Sequence, residues 1–188
     1  MSIKLCFNTT ARCGQWSNTF GLFSVCIVLT MAFIAQLIQH ELPCPLCLLQ
    51  RLAFIAIGLG FMLNVIWERQ STHYGIIILS CLFGLFTATR QVLLHITPGS
   101  GSYGPPLFGL HFYTWSDIAF IGYLGFTGLI LLIQSSSHHQ DSTVHPNLMS
   151  KLLTLWFFII VIGNVLTTIG LCGIGICPDN PVRYLFGS

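Results

Sequence analysis

Apolar residues run along this chain rather than alternate. Five stretches, 20–38, 46–67, 74–94, 112–133 and 152–171, consist mostly of Leu, Ile, Val, Phe, Ala and Gly, broken by isolated polar residues. Each is close to the ~20 residues an α-helix needs to cross the hydrocarbon of a bilayer. A helix apolar all round has no water-facing stripe, so it belongs in protein or in lipid. The predicted fold is all-α, a polytopic membrane helical bundle with five spans, and residues 1–188 form a single integral membrane domain. An odd number of spans puts the termini on opposite sides of the membrane.

Composition agrees. The chain has 188 residues, 54% hydrophobic and 6% charged, where a soluble domain carries about 25% charged residues. A net charge of +2 with no basic patch excludes nucleic-acid binding. Lys4 and Arg12 precede the first span as they would a signal peptide. That span is long for a signal, and no A-x-A-like cleavage site follows it, so an uncleaved anchor is expected.

Lys and Arg in short loops set orientation. Loops 1–19, 67–73 and 134–151 hold Lys4, Arg12, Arg69 and Lys151, whereas loops 39–45, 95–111 and 172–188 hold only Arg183. The N-terminus is therefore expected in the cytoplasm and the C-terminus outside. The sequon Asn8-Thr9-Thr10 then falls on the cytoplasmic side and reads as chance. His138, His139, His145 and Asp141 lie in a Ser-rich loop on that side and read as solvated residues rather than a metal cluster.

Of the eight cysteines, Cys6 and Cys13 fall in the cytoplasmic tail. Cys26 and Cys81 fall inside spans, where a lone Cys behaves as a small hydrophobe. Cys44, Cys47, Cys172 and Cys177 make two close pairs at the outer face, the side on which disulfides persist. Orientation rests on Lys and Arg alone, so this agreement is independent.

The first pair has a chemical setting. In Pro43-Cys44-Pro45-Leu46-Cys47, Pro45 suits the first turn of a helix, where its missing N–H is no loss. Cys44 then sits near the N-cap and Cys47 about one turn in. Free first-turn N–H groups and the positive helix end favour a thiolate there, and the thiolate is the form that attacks disulfides. Arg51 follows Cys47 by four residues on the same helix face. Either it stabilises a thiolate and hydrogen-bonds a quinone carbonyl, or it snorkels to the headgroups. The pair itself is either reactive or a structural disulfide, though so small a loop adds little stability.

Cys44-Pro45-Leu46-Cys47 with Arg51, opening the second span after a short outer loop, resembles the DsbB family of disulfide-bond-forming quinone reductases. The resemblance covers the first four spans, about 20–133. It implies a four-helix bundle in the bacterial inner membrane, with a quinone (ubiquinone or menaquinone) as cofactor near the outer helix ends. It implies an enzyme that reoxidises a periplasmic, thioredoxin-fold, DsbA-like dithiol carrier as its partner. Cys47 takes the role of the cysteine that contacts the quinone, Cys44 exchanges with a second cysteine pair, and Arg51 contacts the quinone.

The chain departs from that plan in two places. Family members carry the second pair between the third and fourth spans, and here loop 97–111 has no Cys. Its Phe108, with Phe112, Tyr113 and Trp115 after it, suggests a loop resting on the membrane interface. The fifth span instead delivers Cys172 and Cys177, separated by Gly173-Ile174-Gly175-Ile176, to the outer face. Either this pair takes electrons from the carrier and passes them to Cys44–Cys47, or it staples the tail.

Arg90 and His95 are further candidates for the quinone site, His95 as a proton relay or as a residue wetting a helix end. Gln91 shares its face. Arg90 faces either the bundle interior or the headgroups. His40 and Glu41 are placed to tune the dithiol, Asn164 to hydrogen-bond between helices, and Asp117 to help begin the fourth span. Three rival readings are a zinc centre held by the four outer cysteines, an enzyme like vitamin K epoxide reductase, and a non-catalytic helper subunit.

Overall fold

The computed structural model describes residues 2–38, 43–67, 69–96, 108–135 and 147–173, with side chains omitted for 2–13 and 134–135. Cys177, His40, Glu41, His138, His139, His145 and Asp141 lie outside the described residues. Among the described residues the architecture is an all-α membrane bundle of five helices: α1 (Ser2–Ile38), α2 (Pro45–Ile66), α3 (Ser71–Leu94), α4 (Phe112–Ser135) and α5 (Leu148–Cys172). Each contains a segment long and apolar enough to cross a membrane. The 22 residues of α2 make about 33 Å of helix at ~1.5 Å per residue, close to the thickness of the hydrocarbon core.

Helices α2 to α5 start and stop within four residues of the expected spans. The difference is at the N-terminus, expected as a cytoplasmic loop up to residue 19. There α1 runs as helix from Ser2, and its apolar segment begins at Gly14. Polar Asn8, Thr9 and Thr10 hide that helix from a hydropathy reading without preventing it, since Asn and Thr cost only a few tenths of a kcal/mol in a helix.

Packing closes a four-helix ring. α1 lies against α2 and α4, and α3 lies against α2 and α4, while α5 docks outside the ring on α1 and α2. The core is apolar and aromatic: Leu22, Val25, Phe54, Ile57, Phe61, Ile77 and Phe120 are almost fully buried, and Phe54 and Phe120 stack with ring centroids 4.3 Å apart. Leu79, Phe86, Leu132 and Leu166 are more than 60% exposed. That much apolar surface would aggregate in water; against lipid it costs nothing. Cys26 and Cys81 are buried free thiols, as expected of isolated cysteines in spans.

Glycines set two close approaches. A Cβ on Gly84 of α3 would collide with the ring of Phe120 on α4, and one on Gly58 of α2 would collide with Phe157 of α5. Small residues let membrane helices approach closely enough to gain dispersion contacts. Phe120 is wholly buried and already stacked on Phe54, so it has no room to yield. Gly84→Ala is expected to destabilise the bundle by about 1–3 kcal/mol through overpacking, read as a lower thermal unfolding midpoint in detergent. Gly125→Ala, at a site where nothing lies within 4 Å of the new Cβ, should leave that midpoint unchanged.

Buried polar side chains tie the helices together at one end. Asn18 donates to Tyr74 Oη (2.8 Å) and accepts from Asn64 Nδ2 (3.0 Å), and Asn64 Oδ1 also faces His73 Nδ1 at 2.9 Å. This cluster joins the start of the apolar segment of α1, the end of α2 and the start of α3. At the other end of the bundle lies the cysteine pair. Asp117, expected to begin the fourth span, does something else: it is the sixth residue of α4 and accepts from Thr89 Oγ1 of α3 at 2.8 Å. It bridges two helices instead of capping one.

Candidate functional site

Cys44 is the N-cap of α2. Its backbone is extended (φ −68°, ψ 161°), Pro45 opens the first turn, and Cys44 Sγ accepts from Cys47 N–H at 3.1 Å. Sulfur takes the place an N-cap oxygen ordinarily occupies. The carbonyl of Cys44 accepts from Leu48 N–H at 3.1 Å, the first turn's backbone bond. One helical turn brings the two cysteines together, and they form a disulfide with a Cα–Cα separation of 5.0 Å. Cys44 is buried and Cys47 half-buried. Both sulfurs therefore sit at the positive end of α2, where negative charge is stabilised.

A second helix supplies a donor that the sequence did not mark as part of the site. Gln91 of α3 is fully buried, and its Nε2 points at both sulfurs, 3.3 Å from Cys44 Sγ and 3.4 Å from Cys47 Sγ. Its Oε1 accepts from Gln50 Nε2 of α2 at 2.8 Å. Gln50 is also buried.

Arg51 lies one turn further along α2. Its Nη1 donates to Gln36 Oε1 of α1 and to Asn164 Oδ1 of α5 (3.3 Å), and its Nη2 donates to the Ala32 carbonyl of α1 (3.0 Å). The head group is thus held between three helices. This replaces the snorkelling alternative, because a guanidinium bound to buried acceptors on two neighbours does not extend to the headgroups. Asn164 makes the interhelical hydrogen bond expected of it. Its own Nδ2 is satisfied by the Ile160 carbonyl at 2.8 Å.

Arg90 lies on the exposed face of α3, one residue from buried Gln91. Gln91 faces the interior and Arg90, roughly 100° round the helix, faces out. Of the alternatives open for Arg90, the structure takes the outward one. His95 caps the end of α3, where its Nδ1 donates to the Gln91 carbonyl at 2.8 Å. Its ring lies 5.4 Å from that of Tyr113, and Tyr113 stacks on His111 at 5.3 Å. Tyr113, expected at the membrane interface, is buried. Phe108 is 90% exposed.

Cys172 ends α5, is buried, and is disulfide-bonded. Its expected partner Cys177 lies outside the described residues. Contacts fix the depth of Cys172. Arg51 meets Asn164, and Gly58, seven residues further along α2, faces Phe157, seven residues back along α5. α2 and α5 are therefore antiparallel. From the Arg51–Asn164 contact, Cys172 lies about 12 Å along α5 and Cys44 about 10 Å along α2, both toward the same end, at ~1.5 Å per residue. Cys172 and the Cys44–Cys47 pair sit at similar height on neighbouring helices.

The sequence reading missed Gln91, Gln50 and Gln36 as site residues. One signal was available: amides inside membrane spans are costly unless paired, and Gln36, Gln50, Gln91 and Asn164 each fall in an apolar span.

Comparison with known proteins points the same way. Residues 14–103 match the family model described as disulfide bond formation protein DsbB. Among curated proteins, the chain is 42% identical over 67 residues to disulfide bond formation protein B of Nitrosomonas eutropha, covering 34% of this chain and 41% of that one. It is 36% identical over 86 residues to the protein of that name from Cupriavidus metallidurans (44% and 53% covered). To the one from Xanthomonas euvesicatoria it is 32% identical over 94 residues (46% and 55%). The chain thus spans about half the length of the curated relatives it matches. No solved structure matches it.

Proposed function

We propose, from the premise that residues 14–103 belong to the DsbB family, that this chain is an inner-membrane oxidoreductase that makes protein disulfides. It reoxidises a reduced thioredoxin-fold dithiol carrier outside the cytoplasm and hands the electrons to a membrane quinone. The observation that carries the reading is a disulfide at the positive end of a membrane helix, with a buried amide donor on both sulfurs and an arginine one turn below. We take the N-terminus as cytoplasmic and the C-terminus as periplasmic, following the loop charges, and 1–188 as one integral domain.

The residues present suit a quinone. Arg51 offers a cation for a carbonyl oxygen, the disulfide lies one turn above it, and His95, Tyr113 and His111 form an aromatic group at the same end of the bundle. A bound quinone supplies the two-electron oxidant. The chain's own residues do the rest. Cys44 and Cys47, when reduced, lose two electrons and two protons as their disulfide re-forms. The positive end of α2 favours the thiolate, which is the reactive form. Arg51, fixed by Gln36, Asn164 and the Ala32 carbonyl, keeps a positive charge at a set depth.

For the carrier side, we propose that Cys172–Cys177 exchanges with the carrier and then with Cys44–Cys47. The similar height of Cys172 and Cys44 supports this route. Cys172→Ser is expected to abolish turnover with the carrier while sparing turnover with a small dithiol that reaches Cys44 directly. Full carrier-dependent turnover in that variant would make the second pair a staple. The proposal as a whole is tested by purified protein in lipid, given reduced carrier and ubiquinone or menaquinone. Two thiols should disappear for each quinone reduced, and no consumption of either would refute the reading.

A further inference from the structure

The Gln91 carboxamide presents its N–H face to the disulfide, and the reason lies in a second side chain. An amide has one accepting and one donating end. Gln50 Nε2 donates to Gln91 Oε1 at 2.8 Å, which engages the accepting end and leaves Nε2 within 3.3 and 3.4 Å of the two sulfurs. Both side chains are buried and come from different helices, α2 and α3. A disulfide sulfur is a weak acceptor, whereas a thiolate is a strong one. The same contacts therefore become charge-assisted and stronger once the bond is opened. Gln91 Oε1 also lies 3.9 Å from Cys47 Sγ, further than either Nε2 contact, so the donating end is the nearer one to both sulfurs.

We propose that Gln91 is a catalytic hydrogen-bond donor that holds whichever sulfur of the Cys44–Cys47 pair leaves as thiolate, and that Gln50 is the positioning residue that keeps its N–H, not its C=O, turned to the sulfurs. The inference rests on the reading that this pair is reduced and reoxidised, and it does not depend on the identity of carrier or oxidant. When a thiolate attacks one sulfur, the S–S bond breaks and the attacked sulfur joins the newcomer in a mixed disulfide. The other sulfur departs with the bonding electron pair as a thiolate, and no proton need move. Gln91 Nε2 reaches both sulfurs, so it serves either direction of attack.

The test uses the full-length reduced protein in lipid, without carrier or quinone. Alkylation of Cys44 and Cys47 is followed against pH by peptide-resolved mass spectrometry, and the midpoint of each profile is the readout. Gln91→Met keeps length and bulk but removes the donor. It is expected to raise the midpoint of the more acidic cysteine by about one pH unit, the effect of one lost hydrogen bond to an ionised group. Gln50→Met is expected to give a smaller rise in the same direction, because the amide is then free to turn. The double variant removes both partners and leaves neither amide orphaned, so it should fold even if the single one does not. Its midpoint should match that of Gln91→Met.

An unchanged midpoint in Gln91→Met, or in the double variant, would overturn the proposal and leave the glutamine pair as helix packing. An unchanged midpoint in Gln50→Met alone would remove the positioning role and leave the donor. If carrier and quinone turnover are absent while the midpoints shift, the functional reading fails and this inference stands.

Discussion

Cys47→Ser is expected to reduce quinone no faster than the uncatalysed reaction, while the bundle stays folded. The two effects separate because the Cys44–Cys47 disulfide closes a loop of minimal length. Such a cross-link removes little entropy from the unfolded chain, so losing it costs little stability. Chemistry has no such tolerance: without the second sulfur, Cys44 cannot re-form the disulfide that faces the quinone, and no electron pair can be delivered to it. Cys44 is then a lone thiol that can attack a disulfide, so incubation with oxidised carrier should accumulate a mixed disulfide, the carrier's other sulfur leaving as thiolate, that reductant dissolves on a gel. Unchanged thermal unfolding with lost turnover is the expected pair of results. Quinone loss in step with thiol loss in Cys47→Ser would show that electrons leave the chain elsewhere.

The second large effect is expected at Arg51, where function and stability fall together. Arg51→Leu removes the cation one turn from the disulfide and also orphans acceptors that Arg51 now satisfies. Gln36 and Asn164, each 3% exposed, lose a charge-assisted hydrogen bond, and a buried unsatisfied acceptor costs about 1–3 kcal/mol. The thermal midpoint should fall clearly, and the quinone concentration needed for half-maximal turnover should rise. Arg51→Lys separates the contributions. It restores the charge but not the fork, and a single ammonium cannot span acceptors on both α1 and α5. Turnover should recover in part while stability stays low. Asn164→Leu makes the complementary change, loosening the guanidinium from α5 with its charge intact. Its turnover should fall less than that of Arg51→Leu. A quinone dependence unchanged in Arg51→Leu would confine this residue to helix packing.

Much of this molecule could be read along the chain. Five apolar runs became five helices, since backbone polar groups in lipid must bond within their own segment. Pro45 between two cysteines correctly marked a helix start, because N1 is where proline costs nothing. Asn164 in the middle of an apolar run announced an interhelical hydrogen bond. The helical N-terminal segment and the bridging role of Asp117 were not legible. Weak helix propensity and an acidic residue near a helix start each suit more than one local arrangement.

The glutamines show where the sequence stops. In a water-soluble helix the apolar stripe tells which side chains face the core. In a membrane helix lipid is as apolar as Leu, so the pattern along α3 does not say whether Arg90 or Gln91 points inward. Close packing of α3 on α2 and α4 decided it, with Gly84 against Phe120 among the contacts that leave room for one rotation of α3. By itself, then, the sequence determined the spans, the helix that carries the cysteine pair and the arginine on its face. Tertiary structure alone decided which amides from other helices meet the sulfurs and the guanidinium. The physical reason is that local backbone chemistry fixes a helix and its cap, whereas the facing of helices against one another depends on contacts between residues far apart in the chain.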